Sequence, residues 1–131
     1  MNTKRFLLAS LVAFIFTAIY EMVVHGSLLK GIYSTTPDLW RADADTEVVF
    51  MMGAYLVMSL LLVYLFSQKM HVRNIKGGAV AGLWVGLPLA VAGAASYAWM
   101  PISLTLAVCW LVATLIKVVV IGAITGMIYR D

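Results

Sequence analysis

Four long apolar stretches dominate this sequence, at residues 6–25, 48–68, 79–99 and 102–129. A membrane-spanning helix needs roughly 20 consecutive, mostly apolar residues, because each residue advances the helix by only about 1.5 Å. The strands of a membrane barrel are shorter, at about 10 residues, and alternate in polarity. The pattern therefore predicts a single all-α domain over residues 1–131, a polytopic membrane protein with four transmembrane helices in an up-down bundle.

The composition supports a membrane protein and excludes several other classes. Apolar residues make up 63% of the chain and charged residues 11%, against about 45–50% and about 25% in ordinary soluble domains. A soluble globular protein and a disordered one are both excluded. The net charge of +3 is too small and too dispersed for a nucleic-acid-binding surface. The single cysteine, Cys109, excludes an internal disulfide and a CxxC motif.

The distribution of basic residues predicts that both termini lie in the cytoplasm. The first apolar stretch is too long for a typical signal peptide, and no small-residue cleavage site follows it. With the N-terminus inside, two basic residues, Lys30 and Arg41, fall outside, whereas six fall inside: Lys4, Arg5, Lys69, Arg73, Lys76 and Arg130. Because cytoplasmic loops carry an excess of Lys and Arg, we expect a multi-pass protein of a bacterial cytoplasmic (inner) membrane, with residues 26–47 as an outer loop.

The first predicted helix has a polar face. Ser10, Thr17, Glu21 and His25 follow one another at spacings of seven, four and four residues, which places them on one side of a helix. Charged groups inside a membrane are costly, so this face should point into the bundle. Glu21 and His25 could bind a metal, relay a proton or hold a polar ligand, or they could be structural. Two ligands are fewer than zinc needs, so we expect neither a metal site nor a cofactor.

Lys117 is the second unusual charge. It lies near the middle of the fourth predicted helix, too deep for its amine to reach the membrane surface easily. Glu21 is the only other charge well inside a predicted span and is therefore its expected partner. We expect an intramembrane polar pair or ligand site formed by Glu21, His25 and Lys117. The pair could fix helix register and assembly, or it could act as a gate or a proton site.

Small residues recur at four-residue spacing in the third and fourth predicted helices, and such stripes let helix backbones approach closely in lipid. The glycines concerned are Gly78, Gly82, Gly86, Gly122 and Gly126. We expect these glycines to pack helices within the molecule. A seam between two copies of the chain is the less favoured alternative.

The predicted outer loop contains one helix signal and one acidic cluster. Thr36 and Pro37 are typical of an N-cap and a first helical position, so we expect a short surface helix over residues 39–44. Alternating carboxylates follow at Asp43, Asp45 and Glu47. We expect them to cap the second spanning helix and to supply outward charge. Cation binding is less favoured, because the loop lacks a complete ligand set.

Several segments resemble a known group of proteins. They are residues 20–29 (YEMVVHGSLL), Tyr33, residues 39–41 (LWR), 101–104 (PISL) and 126–129 (GMIY). Over nearly its whole length the chain resembles a broad group of small four-helix bacterial inner-membrane proteins of unknown function. The resemblance implies the fold and the location, and it places an acidic residue and a histidine at Glu21 and His25. At Lys117 the chain departs from the group, which often has an acidic residue there, so no carboxylate-rich metal site is implied.

The sequence predicts a protein that is not an enzyme, because little chain lies outside the predicted spans and no catalytic set is evident. We expect an accessory or assembly subunit of a larger membrane complex, in contact with lipid and with other subunits or copies of itself. The expected partner-facing residues in the loop are Tyr33, Trp40 and Arg41. The alternative is a small proton- or ion-coupled transporter, or an ion-binding protein, that uses Glu21, His25 and Lys117. Small multidrug exporters share four helices and one glutamate in the first helix, but Lys117 would repel their cationic drugs.

Overall fold

The computed structural model describes residues 1–130, and within that range the chain is helical without any β-strand. Four of its helices are long and apolar enough to cross a membrane, at Thr3–Leu28, Val48–Lys69, Ile75–Ala98 and Leu104–Ile128. The prediction of an all-α chain with four such helices is confirmed. Their ends differ from the predicted ranges by a few residues, most clearly for the third helix, which begins at Ile75 rather than at residue 79.

The helices are α1 (Thr3–Val23), α2 (Lys30–Tyr33), α3 (Val48–Tyr64), α4 (Ile75–Ala94) and α5 (Leu104–Ile128). Local side chains fix where three of the long helices begin. Asn2, Asn74 and Ser103 each accept a hydrogen bond from a backbone N–H three residues ahead, at 3.1, 2.8 and 3.1 Å. Each cap satisfies an N–H that the helix itself leaves unpaired.

Two of the long helices end in a wider turn. The chain continues α1 as a π-helical turn over Val24–Leu28, closed by the bond from Leu29 N–H to Val24 O at 2.9 Å. It continues α3 in the same way over Leu65–Lys69. A π-turn changes the direction in which the following side chains project, and such turns occur often at functional sites. His25 lies in the first of them.

Glycine brings α4 and α5 into backbone contact. A Cβ atom on Gly78 would lie 2.0 Å from the carbonyl oxygen of Gly122, and one on Gly122 would lie 2.1 Å from that of Gly78. Cβ atoms on Gly82 and Gly126 would lie 2.6 and 2.1 Å from backbone oxygens of the opposing segment. A Cβ on Gly86 would meet side chains of α5 at 3.2 Å. The five predicted packing glycines thus all lie in contacts within one molecule.

The helix α1 packs against α3 and α5. One buried cluster joins small residues of α1, such as Ala9 and Ala13, to Val63 and Phe66 and to Ile121 of α5. At the end of the molecule where α1 begins, Arg5 Nη1 donates to the carbonyl oxygen of Arg130 at 3.0 Å. The two ends of the chain therefore meet, and α1 and α5 run antiparallel.

The segment of residues 26–47, called the 26–47 loop below, differs from its prediction. The expected helix over residues 39–44 is wrong: 3₁₀ turns form at Pro37–Leu39 and Asp43–Asp45, separated by extended backbone at Trp40. Thr36 precedes the first turn, but its hydroxyl accepts from Trp40 Nε1 at 3.2 Å and caps no backbone N–H. The extended backbone lets the Trp40 ring pack against Tyr33 and Trp110, and this distant contact overrides the local helix signal.

The expected capping of the second spanning helix by loop carboxylates is also wrong. Glu47 stands at the N-cap position of α3, yet its side chain makes no capping hydrogen bond. Its carboxylate lies 3.6 Å from Arg41 Nη1 instead, and both side chains are largely exposed. A surface ion pair of this kind contributes at most about 1 kcal/mol.

Candidate functional site

An ion pair joins α1 to α5. Lys117 Nζ donates a hydrogen bond to Glu21 Oε1, and the two side chains are only 21% and 11% exposed. Tyr20, the residue before Glu21, donates its hydroxyl to the carbonyl oxygen of Ala113 at 2.8 Å, one turn along α5 from Lys117. The two contacts fix the register of the antiparallel helices at this level. Because the two charges neutralise each other, the pairing offsets the cost of burying them between the helices.

The second carboxylate oxygen of Glu21 is also occupied. His25 Nε2 lies 3.0 Å from Glu21 Oε2, and the His25 side chain is 39% exposed. The spacing of four residues puts both side chains on the same side of the helix, and the π-turn that starts at Val24 carries the imidazole. Glu21 therefore contacts both His25 and Lys117, the two residues that the sequence predicted as its partners in one site.

A series of hydrogen-bonded side chains, called the polar chain below, runs from Lys117 through Glu21 and His25 to Tyr33 in the 26–47 loop. The Nδ1 atom of His25 lies 2.5 Å from the Tyr33 hydroxyl oxygen, which also accepts a hydrogen bond from Trp110 Nε1 at 2.8 Å. The Trp40 ring meets the rings of Tyr33 and Trp110 edge-on, with centroids 5.0 and 6.2 Å apart. Edge-to-face aromatic pairs of this kind contribute about 0.5–1.5 kcal/mol beyond the area they bury. Burial raises the pKa of Tyr33, so the phenol stays protonated at neutral pH.

An open cleft of about 650 Å³ lies at the end of this chain, between the 26–47 loop and the end of α1. Its wall includes His25, Tyr33 and Trp40 together with the charged residues Lys30, Arg41 and Asp43. Volumes of about 300–1,000 Å³ are typical of sites for small molecules. The polar chain therefore runs without a break from the partly buried Lys117 of α5 to an open cleft.

The three loop residues predicted to face a partner differ in their surroundings. Tyr33 and Trp40 are partly buried against α5, and their polar atoms bond within the molecule. Arg41 alone of the three is largely exposed, with 69% of its side chain accessible. The two aromatic residues thus form part of the cleft wall.

Hydroxyl groups lie along the same side of α1. Ser10 and Thr17 are buried, and in the part of the chain from residue 1 to 130 their hydroxyl oxygens have no hydrogen-bond partner. The same holds for Ser59 of α3. An unpaired buried hydroxyl costs about 1–3 kcal/mol. The polar face predicted for the first helix therefore lies inside the molecule, but only its Glu21 and His25 end is hydrogen-bonded.

Trp110 is the site residue that the sequence reasoning missed. It precedes Lys117 by seven residues, which puts the two side chains on the same face of α5. A buried indole N–H usually finds a hydrogen-bond acceptor. The position of Trp110 on the same helix face as Lys117 was therefore the sequence signal that Trp110 belongs to the site. The choice of Tyr33 as that acceptor, 77 residues away, follows only from tertiary contact.

Within residues 1–130 the structure contains no cluster of three or more His, Cys, Asp or Glu side chains that could hold a metal ion. A comparison with protein-family models found no matching family. Comparisons with curated proteins and with solved structures found no similar protein. The resemblance to small bacterial inner-membrane proteins stays a prediction.

Proposed function

We propose that this chain is a small multi-pass protein of a bacterial cytoplasmic membrane that binds a proton at Glu21 and His25, as part of proton- or ion-coupled transport. The observation that carries the proposal is the continuity of the site. The buried Glu21–Lys117 pair continues through His25 to an open cleft. An ion pair that only fixed helix register would have no need of that connection.

The chemistry of the three groups supports proton exchange. Lys117 alone neutralises the Glu21 carboxylate, yet His25 adds a second donor to it. Histidine is the side chain whose unperturbed pKa, about 6.5, lies in the physiological range. Since His25 also lines the cleft, a proton from solution reaches the imidazole first and is shared with the carboxylate behind it.

The proposed orientation places the cleft on the outer side of the membrane. Six basic residues flank the spans at the end where the termini meet and two lie in the 26–47 loop, which favours cytoplasmic termini. The contact between Arg5 and Arg130 supports a common side for both ends of the chain. The site would then take up its proton from the outer side of the membrane.

The test is proton uptake into proteoliposomes that contain a trapped pH-sensitive dye. An external acid pulse should acidify vesicles that carry the wild-type protein faster than vesicles that carry Glu21→Gln, compared at equal amounts of folded protein. Glu47→Gln is the matched control, because Glu47 is an exposed carboxylate outside the polar chain. Equal uptake by wild type and Glu21→Gln would contradict the proposal.

A second candidate is an accessory or assembly subunit of a larger membrane complex. The supporting observation is that both oxygens of Glu21 are paired, which is sufficient for a purely structural role. Native mass spectrometry of protein released gently from its own membranes separates the candidates. A reproducible heterologous mass would support the subunit, whereas a lone monomer or homo-oligomer would count against it.

A further inference from the structure

The hydrogen bonds of the polar chain have a fixed direction. An indole N–H can only donate, so Trp110 occupies one acceptor position of the Tyr33 oxygen. An ionised carboxylate can only accept, so His25 Nε2 carries the hydrogen that points at Glu21 Oε2. In neutral His25 the Nδ1 atom is then an acceptor, and it receives the Tyr33 O–H. Every donor in this state points toward Glu21.

Protonation of His25 reverses one of these bonds. The Nδ1 atom then carries a hydrogen and donates it to the Tyr33 oxygen, 2.5 Å away. That oxygen now accepts from both Trp110 and His25, so its two acceptor positions are filled. The Tyr33 hydroxyl hydrogen must turn to a new acceptor. Because Tyr33 lines the cleft, the cleft gains a hydrogen-bond donor when His25 gains a proton.

Protonation also changes the balance of charge around the cleft. On the helix side, Glu21 of α1 and Lys117 of α5 pair with each other, Tyr55 of α3 lies near Glu21 and Cys109 of α5 lies near Tyr33; none of the four lines the cleft. The loop contributes Tyr33, Lys30, Arg41 and Asp43. On the cleft wall, neutral His25 leaves two cations, Lys30 and Arg41, and one carboxylate, Asp43, while Arg41 also pairs with Glu47. Protonation of His25 adds one positive charge to this wall, so the cleft becomes more favourable to an anion when it acquires the donor.

We propose that the cleft binds an oxyanion group, a phosphate or carboxylate, together with one proton taken up at His25, with the Tyr33 hydroxyl as the donor that the proton releases. The inference rests on the proposed function, because it assumes that Glu21 and His25 bind a proton. Thermodynamic linkage then requires that the ligand raise the proton affinity of His25 as much as the proton raises the ligand affinity. The oxyanion has two candidate sources, a dissolved anion or the headgroup of an anionic lipid.

The test measures binding at two pH values in lipid nanodiscs. Trp84 and Trp99 are exposed and do not line the cleft, so a Trp84→Phe, Trp99→Phe background leaves Trp40 and Trp110 as fluorescent reporters. Inorganic phosphate is titrated into phosphatidylcholine nanodiscs. In a second arm, phosphatidylglycerol replaces part of the phosphatidylcholine and no phosphate is added. A response in the first arm identifies a dissolved anion as the source, and a response in the second arm alone identifies a headgroup.

Binding is expected to be tighter at pH 5.5 than at pH 8, by up to about tenfold per pH unit for one linked proton. His25→Gln should abolish this pH dependence, and Tyr33→Phe should remove most of the gain at low pH while its ring still packs on Trp40. His71→Gln, which changes a histidine outside the cleft wall, should leave the dependence intact. Equal binding at both pH values, or no response to either probe at pH 5.5, would overturn the inference.

An NMR titration of the His25 ring separates this failure from failure of the proposed function. A ring that titrates while neither probe binds refutes the oxyanion alone. A ring that does not titrate between pH 5 and 8 refutes the proton site as well. The ring titration is read from wild-type protein, so it does not depend on whether a variant folds.

Discussion

Replacing Gly78 by alanine should destabilise the protein, although alanine is the better helix former. The added Cβ would lie 2.0 Å from the carbonyl oxygen of Gly122, and real Cβ atoms essentially never approach a heavy atom closer than 3.0 Å. The two helices must therefore separate locally by about 1 Å. A gap of 0.5–1 Å already removes about a quarter to a half of the dispersion energy of each contact. Overpacking of this kind costs about 1–3 kcal/mol.

The matched control lies in the same helix. Gly93 is also in α4, but a Cβ there would meet nothing within 4 Å. Gly93→Ala should therefore stabilise α4 by about 0.5–1 kcal/mol through helix propensity alone. Both variants gain this propensity, so their free energies of unfolding should differ by the overpacking cost alone, about 1–3 kcal/mol.

The assay is unfolding by SDS in mixed micelles, followed by tryptophan fluorescence, for wild type, Gly78→Ala and Gly93→Ala. The reasoning predicts that the unfolding midpoint falls for the first variant and rises for the second. If both alanine variants are at least as stable as wild type, backbone contact between α4 and α5 does not limit the packing. If Gly122→Ala fails to reproduce the effect of Gly78→Ala, the contact between these two glycines is refuted.

The remaining predictions concern charged and strained residues. Lys117→Met should lower the free energy of unfolding by about 3 kcal/mol, the low end for breaking a buried pair, because His25 still bonds Glu21. Adding Glu21→Gln should restore most of that loss, and a double-mutant cycle with additive effects would count against the pair. His71 has a φ of +52°, which costs a non-glycine residue about 1 kcal/mol; His71→Gly should raise the melting temperature and His71→Val should lower it. Burial raises the pKa of Tyr33 above its ordinary value of about 10. The stabilisation from its neutral form is therefore present below pH of about 10 and is lost as the pH rises through the folded-state pKa. Unfolding measured from pH 9 to 11 should show a smaller alkaline loss for Tyr33→Phe than for wild type.

Much of the candidate site could be predicted from the sequence because its members are anomalous. A glutamate and a lysine inside apolar stretches demand partners, and the helical period put His25 on the face of Glu21. The structure adds which oxygen of Glu21 each partner contacts: Lys117 lies on one carboxylate oxygen and His25 on the other. The spacing of residues in the sequence could not show this, because it depends on how α1 and α5 cross.

The loop residues show where sequence reasoning fails. Thr36 and Pro37 are a sound local signal for a helix start, and a 3₁₀ turn does begin at Pro37. The turn stops at Leu39 because Trp40 becomes extended and packs against Trp110, a residue 70 positions later in the chain. Local propensities are worth tenths of a kcal/mol per residue, whereas an aromatic contact of this kind is worth about 0.5–1.5 kcal/mol.

The sequence by itself determined the four helices that are long and apolar enough to span a membrane, and the small-residue stripes. Each follows from a requirement that residues close together in the sequence can meet: the thickness of a bilayer, or the room between two helix backbones. The tertiary structure alone decided that Tyr33 bonds His25 and Trp110, and that the buried pair opens onto a cleft. Those contacts join α1, the loop and α5, and their geometry exists only once the helices have packed and the loop has closed over their ends.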